Sequence, residues 1–174
     1  KGSRFTVSVA LKFRDAEDGE PPVLTDLPVL VVDDERDVCE YASLLLKEVG
    51  MRAFWVLSGQ EAVAEIVRAH EERDDYFAVI LDWKMPDMDG LQFIQQVRQQ
   101  NRECEIIVLT NHENFSYAVE AIRLGVMDYV VKTDISPESL STLLQKAAER
   151  LAGKKGAEPV PVTPMTAVSY THLT

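Results

Sequence analysis

The hydrophobic rhythm of the chain changes near residue 27. From Lys1 to Phe13 it alternates: Phe5, Val7, Val9, Leu11 and Phe13 point one way, and Thr6, Ser8, Ala10 and Lys12 the other. Period two predicts a half-buried strand over 1–13. Residues 14–26 are acidic and carry Gly19 and the pair Pro21-Pro22, which reads as a linker. Beyond it the alternation gives way to short unbroken apolar runs, the mark of strands buried on both faces. These runs are Val29–Val32, Phe54–Leu57, Ala78–Leu81, Ile106–Leu109 and Tyr129–Val131.

Between the runs the spacing is helical. Val38, Tyr41, Ala42, Leu45 and Val49 form a stripe closed by Gly50. Ser58-Gly-Gln-Glu61 is a capping box that opens a helix to about Glu72. Asp89 is a good N-cap for a helix through Leu91, Ile94 and Val97. Phe115, Ala118, Val119 and Ile122 mark a fourth helix, ending at Gly125, and Ser136-Pro137 opens a fifth through Leu140, Leu143, Leu144, Ala147 and Leu151. Five strands alternating with five helices over about 125 residues predict a doubly wound parallel α/β domain at 27–152. Residues 153–174 are rich in Pro, Val and Thr without a period. They are expected to be a disordered tail, too short for an effector domain.

Composition narrows the function. The chain has 174 residues, 46% of them hydrophobic, enough for one domain with a real core plus extra segments. Lys+Arg total 18 against 29 Asp+Glu, a net charge of −11. That balance argues against non-specific nucleic-acid binding, where contacts to phosphates dominate affinity. Cys39 and Cys104 fall far apart in predicted buried elements, with no CxxC pattern, so a reducing compartment is expected. No apolar run approaches a membrane span and the first residues lack a signal-peptide pattern. A cytoplasmic location without membrane contact is expected for this segment; a parent chain is free to carry an anchor elsewhere.

Candidate chemistry collects where the strands end. In a parallel α/β sheet every strand leaves at one edge, and ligands bind in the crevice outside those carboxyl ends. The predicted strands end on Asp33 and Asp34, Ser58, Asp82, Thr110 and Lys132. Three clustered carboxylates repel each other, and a divalent cation resolves that repulsion. Few hard oxygen ligands with room for water favour Mg²⁺, and the lack of His or Cys at the rim argues against zinc. A carboxylate beside such a cation can attack phosphorus, with a lysine neutralising charge on the transferring group.

Four ordered motifs carry a resemblance: Val31-Val-Asp-Asp-Glu35, Leu81-Asp-Trp-Lys-Met-Pro86 with Asp89-Gly90, Val108-Leu-Thr110 and Asp128-Tyr-Val-Val-Lys132. Residues from about Leu27 to Ala152 look like a receiver domain, the phosphoacceptor module of two-component phosphorelay signalling. The resemblance implies a flavodoxin-like sheet of order 2-1-3-4-5. It implies that Asp82 accepts a phosphoryl group from phosphohistidine. Asp34 and Asp82 would ligate Mg²⁺ directly with the main-chain carbonyl of Lys84, and Asp33 through water. Lys132 would pair with the phosphoryl group, Thr110 would be the switch hydroxyl, and Tyr129 the aromatic that follows it. Implied partners are a histidine-kinase phosphohistidine domain, a histidine phosphotransfer protein, and a second copy through helix 4, strand 5 and helix 5. Residues 1–13 look like the closing strand of a histidine-kinase ATP-binding domain, which implies a hybrid histidine kinase.

Plainer readings stand beside these. A lone Asp82 would be a strand-end cap; the company of Asp33, Asp34, Thr110 and Lys132 favours function. Asp87 and Asp89 fit turn and N-cap roles better than metal ligation. Tyr129 also fits a core aromatic, and His112 a solvated side chain. Two positions depart from the receiver pattern. Thr133 follows Lys132 where proline is usual; a cis bond there would cost about 3–4 kcal/mol, so a trans peptide is expected. Asn111 follows Thr110 where a small residue is common, which is expected to narrow access to the phosphoryl group. Competing functions are a stand-alone response regulator and a haloacid-dehalogenase-type phosphatase using Mg²⁺ and an aspartyl phosphate. The phosphatase wants a second Asp where Lys84 stands. A flavin- or nucleotide-binding module of the same topology wants glycines where Asp33-Asp34-Glu35 stands.

Overall fold

The computed structural model describes residues 25–101, 103–111 and 115–155. The expected strand at 1–13, nearly all of the linker at 14–26 and the tail past 155 lie outside the described residues. Five strands alternate with five helices in chain order: β1 Pro28–Val32, α1 Arg36–Glu48, β2 Arg52–Val56, α2 Gly59–Glu71, β3 Ala78–Asp82, α3 Gly90–Gln100, β4 Glu105–Thr110, α4 Phe115–Arg123, β5 Asp128–Val131 and α5 Pro137–Lys155. The sheet is parallel, in the order β2-β1-β3-β4-β5. Fold class and strand order match expectation.

The unbroken apolar runs conceal an alternation. Leu30, Val32, Val79, Leu81, Ile106 and Val108 pack with Ala62 and Ile66 of α2, Phe93 and Ile94 of α3 and Ala121 of α4. Val29, Val31, Ala78, Ile80, Ile107 and Leu109 pack with Cys39 and Leu46 of α1 and Leu140 and Leu144 of α5. Helices therefore cover both faces, and the three central strands β1, β3 and β4 are buried throughout. Each fully buried Leu or Ile contributes about 1.5–3 kcal/mol, so the central strands are the most strongly held part of the frame.

Caps set where the helices start. Ser58 Oγ accepts from the Glu61 N–H at 3.2 Å, as the capping box predicts. Glu61 reaches back to the N–H of Leu57, at 3.2 Å, one residue earlier than a capping box requires. Asp89 caps α3 by accepting from the Gln92 N–H at 2.8 Å. Two boundaries differ from expectation. A short 3-10 turn, Lys132–Asp134, follows β5 directly. Helix α5 runs on to Lys155, past the expected end at 152. Glu105, fully buried at the start of β4, explains the extension: Lys154 Nζ lies 2.6 Å and Arg150 Nε 3.7 Å from its carboxylate. A buried charge demands such partners, and they hold the last turns against the sheet. Cys39 and Cys104 are free and buried, and burial pushes their thiols up to about 11 and about 12.

Candidate functional site

Strand order decides which strand ends meet. β1 and β3 are neighbours at the centre, with Val32 paired to Leu81, so Asp33 and Asp34 emerge beside Asp82. β4 follows β3, and Thr110, its last residue, pairs with Val131 of β5. Lys132 comes directly after β5, and its side chain crosses the end of β4 to reach the acids. Carboxylate oxygens of Asp33, Asp34 and Asp82 lie within 4.8 Å of one another. Asp33 and Asp82 are buried, while Asp34 is exposed.

Lys132 is the counter-cation. Its Nζ stands 2.6 Å from Asp33 Oδ2, 3.2 Å from Asp82 Oδ2 and 3.6 Å from Glu35 Oε1. Burial works against the Lys132 charge, but the hydrogen bond to Asp33 and the charges of Asp82 and Asp33 outweigh it and hold the ammonium above its ordinary value. Burial pushes the Asp82 carboxyl up; Lys132 pulls it down, and the neighbouring Asp33 adds to the rise. Two backbone donors steady the carboxylates: the Glu35 N–H to Asp33 Oδ1 at 2.9 Å, and the Lys84 N–H to Asp82 Oδ1 at 3.4 Å.

Above the buried pair opens a cleft of about 220 Å³, lined by Asp34, Glu35, Asp82, Lys84, Thr110 and Asn111. The cluster offers three hard carboxylate ligands with an exposed acid at the mouth, a donor set that suits a divalent cation of the Mg²⁺ type. The residues present therefore fit such a cation.

Most of the expected site residues come together: Asp33, Asp34, Asp82, Lys84, Thr110 and Lys132 all meet at this edge. Tyr129 does not line the cleft. It is half-buried and packs against the core on the α2–α4 face, in register with Val108. Asn111 lines the cleft, as expected from its place after Thr110. His112 lies outside the described residues. The Lys132–Thr133 peptide is trans. Sequence reasoning gave no role to Glu35, whose signal was its place in the same acidic run as Asp33 and Asp34. Trp83, inside the Leu81–Pro86 motif, belongs to the core. The indole is buried, stacks on Tyr117 of α4 with centroids 5.6 Å apart, and lies against Gly90.

A five-stranded parallel sheet of order 2-1-3-4-5, with an acid cluster and a lysine at its carboxyl edge, defines a flavodoxin-like α/β domain. The family model for the response regulator receiver domain matches residues 29–145. This chain belongs to the response regulator receiver domain family, the signal-transduction module of two-component systems. It is 33% identical to the acid tolerance regulatory protein ActR of Rhizobium meliloti (strain 1021) over 150 residues, 85% of this chain and 71% of that protein. It is 28% identical to the regulatory protein AtoC of Escherichia coli (strain K12) over 127 residues, 73% of this chain but 26% of AtoC. The beryllofluoride-activated NtrC4 receiver domain dimer superposes with a TM-score of 0.64 at 30% identity, covering 71% of this chain and 98% of that one. ActR and AtoC are named as regulators rather than kinases, so the expectation of a hybrid histidine kinase finds no support in them. Among the described residues no helix is long and apolar enough to cross a membrane.

Proposed function

We propose that this receiver domain takes a phosphoryl group from a phosphohistidine onto Asp82 and changes its output face in response. The observation that carries the reading is the triangle of Asp33, Asp82 and Lys132 beneath an open acidic cleft. An Asp82 oxygen forms the new bond to phosphorus as the bond from phosphorus to the donor imidazole nitrogen breaks. A hard divalent cation such as Mg²⁺ would be held by Asp34, Asp82 and the Lys84 carbonyl, and through water by Asp33, and would supply positive charge to offset that of the transferring group. Lys132, already 3.2 Å from Asp82, shifts its ammonium from carboxylate to phosphoryl oxygen. The Thr110 hydroxyl, buried at the cleft wall, donates to another phosphoryl oxygen. Tyr129 follows Thr110 and carries the change to α4, β5 and α5. Ile122 on α4 is 65% exposed, an apolar group suited to a second copy docking on that face.

The relatives favour a regulator as the setting, with a histidine kinase or a histidine phosphotransfer protein as donor. A labelled phosphohistidine domain mixed with the chain and Mg²⁺ should lose its label to the chain within minutes. Label that stays on the donor beside the wild-type chain, or that passes to an Asp82→Asn chain, contradicts the proposal. The phosphatase alternative has no specific observation in its favour: Lys84 stands where its second acid is needed.

A further inference from the structure

Asp87 stands outside the acidic cleft, in the loop 83–89 between β3 and α3. Its carboxylate accepts from the N–H of Gly59 at 3.2 Å through Oδ1 and from that of Gln60 at 2.9 Å through Oδ2. These are the first two donors of α2. Ser58 takes the next two, Glu61 through its hydroxyl and Ala62 through its carbonyl, at 3.2 and 3.1 Å. The orphan donors of this first turn are thus shared between the helix's own cap and a distant loop. The fit is close. A Cβ on Gly59 would lie 3.0 Å from Met88 Cβ and 3.2 Å from Met85 Cε, and both methionines are buried.

The same loop carries Lys84. Its base is narrow: Gly90 N–H donates to the Trp83 carbonyl at 2.9 Å, and Lys84 bridges Asp89. Its tip, Met85 to Met88, leans on α2. Lys84 closes that base immediately before the tip, and its N–H already touches Asp82 at 3.4 Å.

We propose that Asp87 is a positioning residue for the divalent cation: by fastening the loop tip to the start of α2, it fixes the Lys84 main-chain carbonyl relative to Asp82. This rests on the reading of Asp82 and Lys84 as cation ligands. Asp87 touches neither cation nor phosphoryl group. It acts as outer partners of a metal site do, by removing reorganisation when the ion arrives. Ordinary helix capping predicts something different: a less stable α2 with the cation affinity unchanged.

Calorimetric titration of the full chain with Mg²⁺ separates the two, with cation-free thermal midpoints measured alongside. Asp87→Ala should weaken Mg²⁺ binding about tenfold. Asp87→Asn keeps one amide oxygen for one of the two N–H groups and should recover much of the loss. If Asp87 acted only as a nearby negative charge, both variants would weaken equally and the effect would fade in high salt, which overturns the proposal. A lowered midpoint with wild-type affinity in Asp87→Ala overturns it too. A wild-type chain that binds no Mg²⁺ overturns the cation reading itself. A wild-type chain that binds Mg²⁺ and is phosphorylated, beside an Asp87→Ala chain of equal affinity, sinks the positioning role alone.

Discussion

Asp82 is held in tension. Burial holds its carboxyl above the ordinary range, with Lys132 opposing and Asp33 reinforcing. A raised folded-state value means that the folded chain binds this proton more tightly than the unfolded chain does. The group therefore favours folding most below its unfolded value of about 3.9, and that contribution is lost as pH rises through the folded value. At pH 7 the ionised carboxylate is a cost that a bound cation or a phosphoryl group with its cation can offset. Asp82→Asn removes it. In the absence of divalent cation the variant should melt about 2–4 °C above wild type at pH 7, roughly 1 kcal/mol, and the gap should close as pH falls. Equal midpoints at pH 7 would show that Lys132 already compensates the charge in full. At this scale the sequence displayed the identities of the acids, Thr110 and Lys132, because each sits at the end of an apolar run. It did not display their pairing. Lys132 binds Asp33 more closely than Asp82, a contact set by two strands far apart in the chain. Nor did it display Asp87 bonding to Gly59 and Gln60, which depends on how a loop folds over another helix.

Elements hold the site through close packing. Gly90 opens α3 against the Trp83 indole, and a Cβ there would lie 2.5 Å from Cε3 and 2.8 Å from Cδ2. The ring cannot swing away freely, being buried and stacked on Tyr117. Gly90→Ala should cost about 1–3 kcal/mol by denaturant unfolding, and it should displace the loop that carries Lys84. At the opposite edge, Lys154 and Arg150 of α5 answer the buried Glu105. Lys154 is partly exposed, so its removal is worth less than that of a fully buried partner. Lys154→Ala should destabilise the chain by about 1 kcal/mol and fray the end of α5, seen as faster amide exchange over its last turn. Unchanged exchange there would mean that Arg150 alone suffices. Periodicity made every strand and helix of 27–152 legible. Their ends were less so: the turn Lys132–Asp134 has no periodic signature, and the last turn of α5 depends on a carboxylate in β4.

For the whole molecule, the order β2-β1-β3-β4-β5 is what turns separate strand ends into one site. It sets β1 beside β3, so that three carboxylates fall within 4.8 Å, and it lets Lys132 reach across β4. Local sequence cannot dictate that order. Resemblance to receiver domains supplied it, and the register of β1 with β3 bears it out. On the proposal above, this constellation makes Asp82 the phosphoacceptor. Intact-mass measurement after incubation with acetyl phosphate and Mg²⁺ tests it most directly. The wild-type chain should gain one phosphoryl group, a gain absent in Asp82→Asn and absent when the cation is chelated. A phosphoryl group that persists on Asp82→Asn, or steady phosphomonoester hydrolysis with no labelled chain, would contradict it.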